Sequence, residues 1–173
     1  AVLDSSYSGN EGVREIIDKV NDQGIMADYR LMEEKKIVKN FVSEVYTGKG
    51  LGIYGIFDVI NSVKNGYVDL VLVTDDITYL RLEIKCNKCN HIQEKFIDRN
   101  ELMSIKQELI SNPCPNCGSQ DLESVEQDII EYLEELSLMA GTRLEVISGK
   151  TEEGAQLASL GKIGAILRFK PTN

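Results

Sequence analysis

The sequence predicts an α/β fold, a mixed β-sheet sandwiched by helices, with a zinc-ribbon subdomain inserted into it. Two observations predict this fold. Apolar segments with strand spacing alternate with apolar segments of helical spacing along the chain. In addition, all four cysteines fall in two Cys-x-x-Cys pairs. The length of 173 residues fits one medium domain, or one domain with a small insertion.

The composition narrows the classes of function. The formal net charge of −9 argues against a protein that spreads over nucleic acid, because phosphate binding requires clustered lysine and arginine. Acidic residues concentrate between 121 and 135, where a solvated helix face is favoured over an acidic docking surface for a basic partner. No apolar run reaches the roughly 20 residues of a membrane span, and the N-terminus lacks a signal-peptide pattern. We therefore expect a cytoplasmic protein.

The first residues predict a strand over 2–8 and a helix with its apolar positions over 13–20, ending near Gly24. This pair is too small to fold alone, so residues 1–27 are expected to be the tail of a preceding domain. Residues 28–173 are then expected to form the main domain. A strand without its own sheet also exposes an unpaired edge, which predicts pairing with a second copy and a homodimer of the chain.

The next four elements follow from apolar periodicity. The first is a helix capped by Asp28 and ended by Gly48 and Gly50, and the second is a helix over Ile56–Val63 stopped by Asn65-Gly66. They are followed by a fully covered strand over Val68–Val73 and an alternating strand over Tyr79–Ile84. Strands and helices therefore alternate, as in a sheet with helices on both sides.

Four further elements follow the cysteines. Ser124 with Gln127 three residues later forms a capping-box pattern, which predicts a helix from Ser124 to Ala140 with Val125 and Ile129 facing inward. In chain order, the last three are a strand over Arg143–Ile147, a short helix capped by Thr151 and ending near Gly161, and a strand over Ile163–Phe169.

The two cysteine pairs predict a structural metal site. Cys86-x-x-Cys89 and Cys114-x-x-Cys117 are separated by 24 residues. Each pair offers two thiolates from one tight turn, and the two turns together complete a tetrahedral zinc site with no open position. Gly118 permits the positive φ that such turns often need. We expect the insertion to cover residues 84–123, with a hairpin and a loop between the pairs.

Other readings of the cysteines are weaker. Disulfides require an oxidising compartment, and a thioredoxin-type centre uses one Cys-x-x-Cys at a helix start. An iron–sulfur cluster remains an alternative that is less common at this spacing. His91, the only histidine, is expected to be a solvated neighbour and not a ligand, because four cysteines already satisfy zinc.

The chain carries no pattern of catalytic residues. A single histidine is a poor supply of general bases, and Gly48-Lys49-Gly50 lacks the spacing of a phosphate-binding loop. We therefore predict that the chain is not an enzyme.

Several segments together resemble the class-1 peptide chain release factor of archaea, over essentially the whole chain. They are 2–12, 34–36, 54–55, 65–69, 145–148, 153–156 and 164–169. The resemblance places residues 1–27 at the end of that family's middle domain and the rest in its C-terminal domain. The paired cysteines fit archaeal members. One departure is Lys64-Asn65-Gly66, where family members commonly have Glu-Met-Gly.

The resemblance implies a role in translation termination on the ribosome. Other domains of the family read stop codons and trigger release through a Gly-Gly-Gln loop, which this sequence lacks. The C-terminal domain is implied to bind a translational GTPase of the elongation-factor-1-alpha type and an ABC-type recycling ATPase. The implied GTPase contact lies near residues 164–169. Within and beside it, the candidate partner-binding residues are Gly161, Gly164, Arg168 and Phe169.

Two other classes share this type of core. A Pelota-type ribosome-rescue factor also binds a translational GTPase, although its third domain is not expected to carry paired cysteines. A kink-turn RNA-binding module is usually basic, and the net charge of −9 counts against it.

Overall fold

The computed structural model describes residues 25–46 and 50–170. The strand and the helix expected over residues 2–20 lie outside these ranges. The described helices are α1 Ile25–Tyr46, α2 Ile56–Lys64, α3 Leu102–Ser111, α4 Ile129–Ala140 and α5 Glu152–Ser159. The strands are β1 Gly52–Tyr54, β2 Val68–Thr74, β3 Tyr79–Cys86, β4 Ile92–Asp98, β5 Leu122–Asp128, β6 Arg143–Ile147 and β7 Ile163–Leu167.

The larger sheet has the strand order β1-β7-β2-β6. β2 runs parallel to β6 and antiparallel to β7, and β7 runs antiparallel to β1. Alternate side chains of a strand face opposite sides of its sheet, so β2 contributes to two cores. Leu70 and Leu72 pack with α1 and α5, whereas Val71 and Val73 pack with α2 and α4. The predicted mixed sheet with helices on both faces is therefore confirmed.

The ends of two helices follow local signals. Thr151 Oγ1 accepts a hydrogen bond from the Gly154 amide and caps α5, as predicted. Asp28 lies inside α1, which already includes Ile25, so the predicted cap at Asp28 is wrong. The expected domain boundary between residues 27 and 28 falls within this same helix.

The smaller sheet holds β3 between β4 and β5, both antiparallel to it. Leu82, Ile84 and Ile97 form its buried face, against which α3 packs. This subdomain spans residues 79–128, wider than the expected 84–123. The segment between the cysteine pairs holds β4 and α3, so the expected hairpin with a loop was an incomplete prediction.

One predicted helix start is wrong. Residues 122–128 form β5, which pairs with β3 from Leu80–Asp128 to Cys86–Leu122. The ladder with β3 satisfies the backbone groups that a helix over Ser124 to Gln127 would have used. Asp128 caps α4 instead, accepting the Ile130 amide at 2.9 Å. As a consequence, Val125 is 50% exposed and does not join the core.

A cluster of charged and aromatic side chains joins the smaller sheet to the core. Glu94 of β4 accepts hydrogen bonds from Lys64 Nζ at 2.6 Å, Arg81 Nε at 2.6 Å and Tyr132 Oη at 3.3 Å. Arg81 also stands over the Tyr132 ring, 4.8 Å from its centroid. Because these residues come from α2, β3, β4 and α4, the cluster ties the two sheets together. We call it the Glu94 joint.

A candidate four-thiolate metal site

Two similar turns hold the cysteines. In each turn the carbonyl of the first cysteine accepts the amide four residues later, Asn90 to Cys86 and Gly118 to Cys114, both at 2.8 Å. The amide of each first cysteine also donates to the carbonyl five residues later, at 2.9 and 2.8 Å. The residue four positions on has positive φ in both turns, 57° at Asn90 and 71° at Gly118. The sequence predicted this conformation at Gly118 only.

The two turns bring the four sulfurs together. The Cys86 and Cys117 sulfurs lie 3.6 Å apart, and the Cys89 and Cys114 sulfurs lie 3.7 Å apart. All four lie within 4.8 Å of one another. These separations are too long for a disulfide, whose S–S bond is about 2.05 Å.

The spacing fits a single metal ion. Tetrahedral zinc with Zn–S bonds of about 2.3 Å requires sulfurs about 3.8 Å apart. An iron–sulfur cluster shares its thiolates among several iron atoms and spreads them further apart. The predicted grouping of Cys86, Cys89, Cys114 and Cys117 is thus present, and the donor set suits one thiophilic ion.

The groups around the thiols shift the pKa values of two of them, Cys89 and Cys117. Hydrogen bonds from the Asn116 side chain and then the His91 amide lower the pKa of Cys89 to about 6. At Cys117 the Ser119 amide acts to lower the pKa, but the neighbouring thiols, Cys89 first, raise it to about 12. One thiolate is therefore favoured while a second is opposed, and a bound cation would relieve that opposition. Sequence reasoning missed Asn116, although it lies between two cysteines.

The burial of the site agrees with a structural role. Cys86 and Cys114 are buried, Cys89 is half-buried and Cys117 is exposed. Asn87 of the first turn is hydrogen-bonded to Asp121 through both backbone and side chain, each at 3.0 Å. His91 contributes its backbone, and the grouping of possible ligands contains no histidine among the described residues.

The four predicted partner-binding residues do not form one patch. Gly161 is exposed before β7, whereas Arg168 and Phe169 are exposed after it. The five-residue strand between them spans about 16 Å. Gly164 is buried, and a Cβ there would stand 2.3 Å from Phe41 Cζ. Gly164 is therefore a packing residue between β7 and α1, and its part in partner binding stays a prediction.

The side chains of Arg168 and Phe169 are exposed, and both also contact other residues of this chain. The Arg168 guanidinium donates to the Gly141 carbonyl at 2.6 Å and to the Gly66 carbonyl at 3.4 Å. These carbonyls follow the C-terminal ends of α4 and α2. The Phe169 ring is 53% exposed and meets the Tyr67 ring edge to face, with centroids 5.6 Å apart.

The fold and the site define a class of protein: an α/β domain with an inserted subdomain that carries four clustered cysteines. A protein family described as eRF1 domain 3 matches residues 31–171. The chain belongs to this family, which confirms the resemblance drawn from the sequence. The family's description names a domain of a termination factor and not an enzyme.

A curated relative supports the same assignment. The chain is 38% identical over 170 residues to peptide chain release factor subunit 1 of Methanococcus maripaludis. This match covers 97% of the chain and 40% of the relative, so the chain spans well under half of that protein's length.

Solved structures are similar in fold. The C-terminal domain of a peptide chain release factor from Methanosarcina mazei matches with a TM-score of 0.74 and 25% identity, covering 95% of this chain and 98% of that one. A ribosome-bound archaeal Pelota, described together with ABCE1, matches with a TM-score of 0.53 and 20% identity. The Pelota match covers 99% of this chain and 36% of that one, and it shows the fold alone.

No helix in the described ranges is long and apolar enough to cross a membrane.

Proposed function

We propose that this chain is the partner-binding part of an archaeal translation termination factor and works in the cytoplasm. The observation that carries the proposal is its likeness, in both sequence and fold, to archaeal release factors. Stop-codon reading and peptide release are assigned to parts of the longer protein outside this domain. The Pelota alternative is less favoured because its likeness is confined to the fold.

The proposed partners are a translational GTPase of the elongation-factor-1-alpha type and an ABC-type recycling ATPase. The ribosome is reached through the full-length factor. The ribosome-bound Pelota described with ABCE1 has a similar fold, which supports the ribosome and the recycling ATPase as partners. For the GTPase we assign the contact to Phe169 and Arg168, because both side chains are exposed at one end of β7.

Calorimetric titration tests the GTPase contact. The chain is titrated with the archaeal GTPase loaded with a non-hydrolysable GTP analogue, and saturable 1:1 binding is expected. Phe169→Ala should weaken it roughly tenfold, because truncation of an aromatic anchor costs more than most contacts. Arg168→Lys tests whether charge alone suffices.

Met103→Ser is the matched control, since Met103 is 78% exposed on α3 of the metal-binding subdomain. It should leave the affinity unchanged. If the folded chain shows no binding, the GTPase proposal fails and the recycling ATPase becomes the main candidate. If the control variant weakens binding as much as Phe169→Ala, the contact is misplaced.

We also propose that the four thiolates hold structural zinc. The sulfur spacing and the set of four thiolate donors support this choice. Mass spectrometry of metals should give one zinc per chain after purification without added metal. Cobalt substitution should give the visible absorption of a tetrahedral tetrathiolate site. One iron per chain, with colour in the purified protein, would instead mean a mononuclear iron site.

The domain organisation remains part of the proposal. We assign residues 1–27 to the preceding domain and residues 28–173 to the partner-binding domain. The zinc-ribbon insertion is assigned to residues 84–123, and the smaller sheet that contains it covers residues 79–128. Homodimerisation of the chain is likewise a prediction, and sedimentation velocity over a range of concentrations tests it.

A further inference from the structure

The outward face of α4 changes character along its length. Its inward positions are buried, among them Ile129, Leu133 and Leu136. The outward stripe, at i, i+3, i+4, i+7 and i+8, consists of Glu131, Glu134, Glu135, Leu138 and Met139. Three carboxylates thus lead to two large apolar side chains over about 12 Å of helix.

The side chains of these two apolar residues lie outside the buried core. Leu138 is 85% exposed and Met139 is 77% exposed. They stand in the last turn of α4, where a basic residue would interact favourably with the helix dipole and none is present. A single exposed apolar side chain is ordinary, but an adjacent pair of this exposure forms the start of a patch.

A side chain from outside the helix fixes the C-terminal end of α4. The Gly141 carbonyl at the end of α4 accepts the Arg168 guanidinium, and Gly141 itself lies two residues beyond Met139. The backbone that carries Leu138 and Met139 is therefore held in place, and the two side chains form the apolar end of the outward stripe.

The carboxylates are uncompensated. Among the described residues, Glu131, Glu134 and Glu135 take part in no ion pair. Their charges are also of the same sign as the net charge of −9. Such a surface repels nucleic acid and attracts lysine and arginine.

We propose that the outward face of α4 is a docking surface for a basic, amphipathic helical segment of a partner protein. An apolar side chain of the segment would pack on Leu138 and Met139. Its lysines or arginines would lie over Glu131, Glu134 and Glu135. This inference concerns α4 and stands apart from the GTPase contact assigned to β7, so that either one can fail alone.

A pair of synthetic peptides tests the proposal. The probe is a 15-residue amphipathic helix with leucines along one face and lysines beside them. Its counterpart carries glutamate at every lysine position. Fluorescence anisotropy with the full 173-residue chain should show 1:1 binding of the lysine peptide and at least tenfold weaker binding of the glutamate peptide.

Variants locate the binding. L138S/M139S should weaken it about tenfold, because it removes the apolar anchor. E131Q/E134Q/E135Q should also weaken it and should flatten its salt dependence. M103S/E108Q removes an exposed methionine and an exposed carboxylate from α3, and this matched control should change the affinity less than twofold.

Four outcomes would overturn the proposal. The first is no saturable binding of the lysine peptide by the folded chain. The second is equal weakening by the α3 control, which would mean unspecific adhesion. The third is self-association of the chain that L138S/M139S abolishes, which would make a second copy the occupant. The fourth is saturable binding of an RNA oligonucleotide to the chain itself that L138S/M139S abolishes.

Discussion

Single residues set how closely elements of this domain approach one another. Gly164 lets β7 lie directly beneath the Phe41 ring of α1, a contact that no larger residue allows. Arg168 uses its planar guanidinium to reach carbonyls beyond the ends of two helices at once. The sequence predicts a partner-binding role for both residues. It does not predict their contacts within the domain, because these form only when segments distant in the sequence come together.

The first prediction concerns Gly164→Ala. The added methyl group would clash with the Phe41 ring, so we expect the free energy of unfolding to fall by about 2 kcal/mol or more. Urea denaturation measures this loss. Phe41→Leu in the same chain should restore part of it by opening space, and a double variant no more stable than Gly164→Ala would contradict the proposed contact.

The second prediction concerns Asn90, whose backbone is left-handed with φ 57°. Asn90→Gly should be tolerated, because glycine adopts this conformation freely. Asn90→Ala should destabilise the first cysteine turn by about 1 kcal/mol. Competition with a zinc-binding dye measures the effect as weaker metal retention. Equal metal affinity of the two variants would argue against backbone strain at this position.

At the scale of elements, the apolar periodicity of the sequence predicted the helices and strands that local contacts determine. It failed where pairing between strands decides the structure. The covered strand at Val68–Val73 was predicted because its run is apolar on both faces. β5 was missed because its residues carry a helix-capping pattern that the ladder with β3 overrides. α3 was missed although Leu102, Ile105 and Leu109 have helical spacing.

The candidate metal site was predicted almost completely, because ligand spacing is a local signal. The Glu94 joint was not predictable in this way. Its members Lys64, Arg81, Glu94 and Tyr132 come from four elements, and charged residues with no sequence periodicity carry no sign of their partners. Only the packing of the smaller sheet against α2 and α4 brings them together.

The third prediction concerns the Glu94 joint and pH. Burial acts to raise the pKa of Glu94, but hydrogen bonds from Lys64 and Arg81 together outweigh it and leave the pKa below its usual 4.5. A carboxylate with a depressed pKa stabilises the folded state above its unfolded pKa. This contribution is lost as pH falls through the folded value.

Glu94→Gln should therefore destabilise the chain by about 1–2 kcal/mol at pH 7 and reduce the loss of stability below pH 4.5. Thermal unfolding between pH 3 and pH 7 measures both effects. Glu123→Gln is the control, since Glu123 is exposed on strand β5 of the same sheet. An unchanged pH profile for Glu94→Gln would exclude Glu94 as the source of this dependence.

At the scale of the whole molecule, the domain consists of two packed bodies with separate cores. The larger sheet has helices on both faces, and the smaller sheet has α3 on one face and the cysteine turns at its far end. The chain enters the smaller sheet through β3 and leaves it through β5, and the Glu94 joint ties the smaller sheet to α2 and α4 of the larger body. The smaller body has a small core, so under the proposal of structural zinc we expect its folding to depend on the metal.

The fourth prediction follows from this division. C114S/C117S should release the metal and unfold the smaller body while leaving the α/β core folded. Hydrogen exchange should show lost protection in β4 and α3 and retained protection in β2 and β7. Ser111→Ala and Ser119→Ala, two substitutions near the site that keep all thiols, serve as controls. Collapse of the entire chain would mean that the two bodies form one cooperative unit.

The side-by-side arrangement of β3 and β5 has an evolutionary consequence. Cys86 and Leu122 are directly paired across the two strands, so their Cα atoms lie about 5 Å apart. The whole segment from 87 to 121 thus leaves and re-enters at almost one point. A gene could gain or lose this segment as a cassette, with a two-residue turn joining β3 to β5, and the strand order of the larger sheet would stay the same.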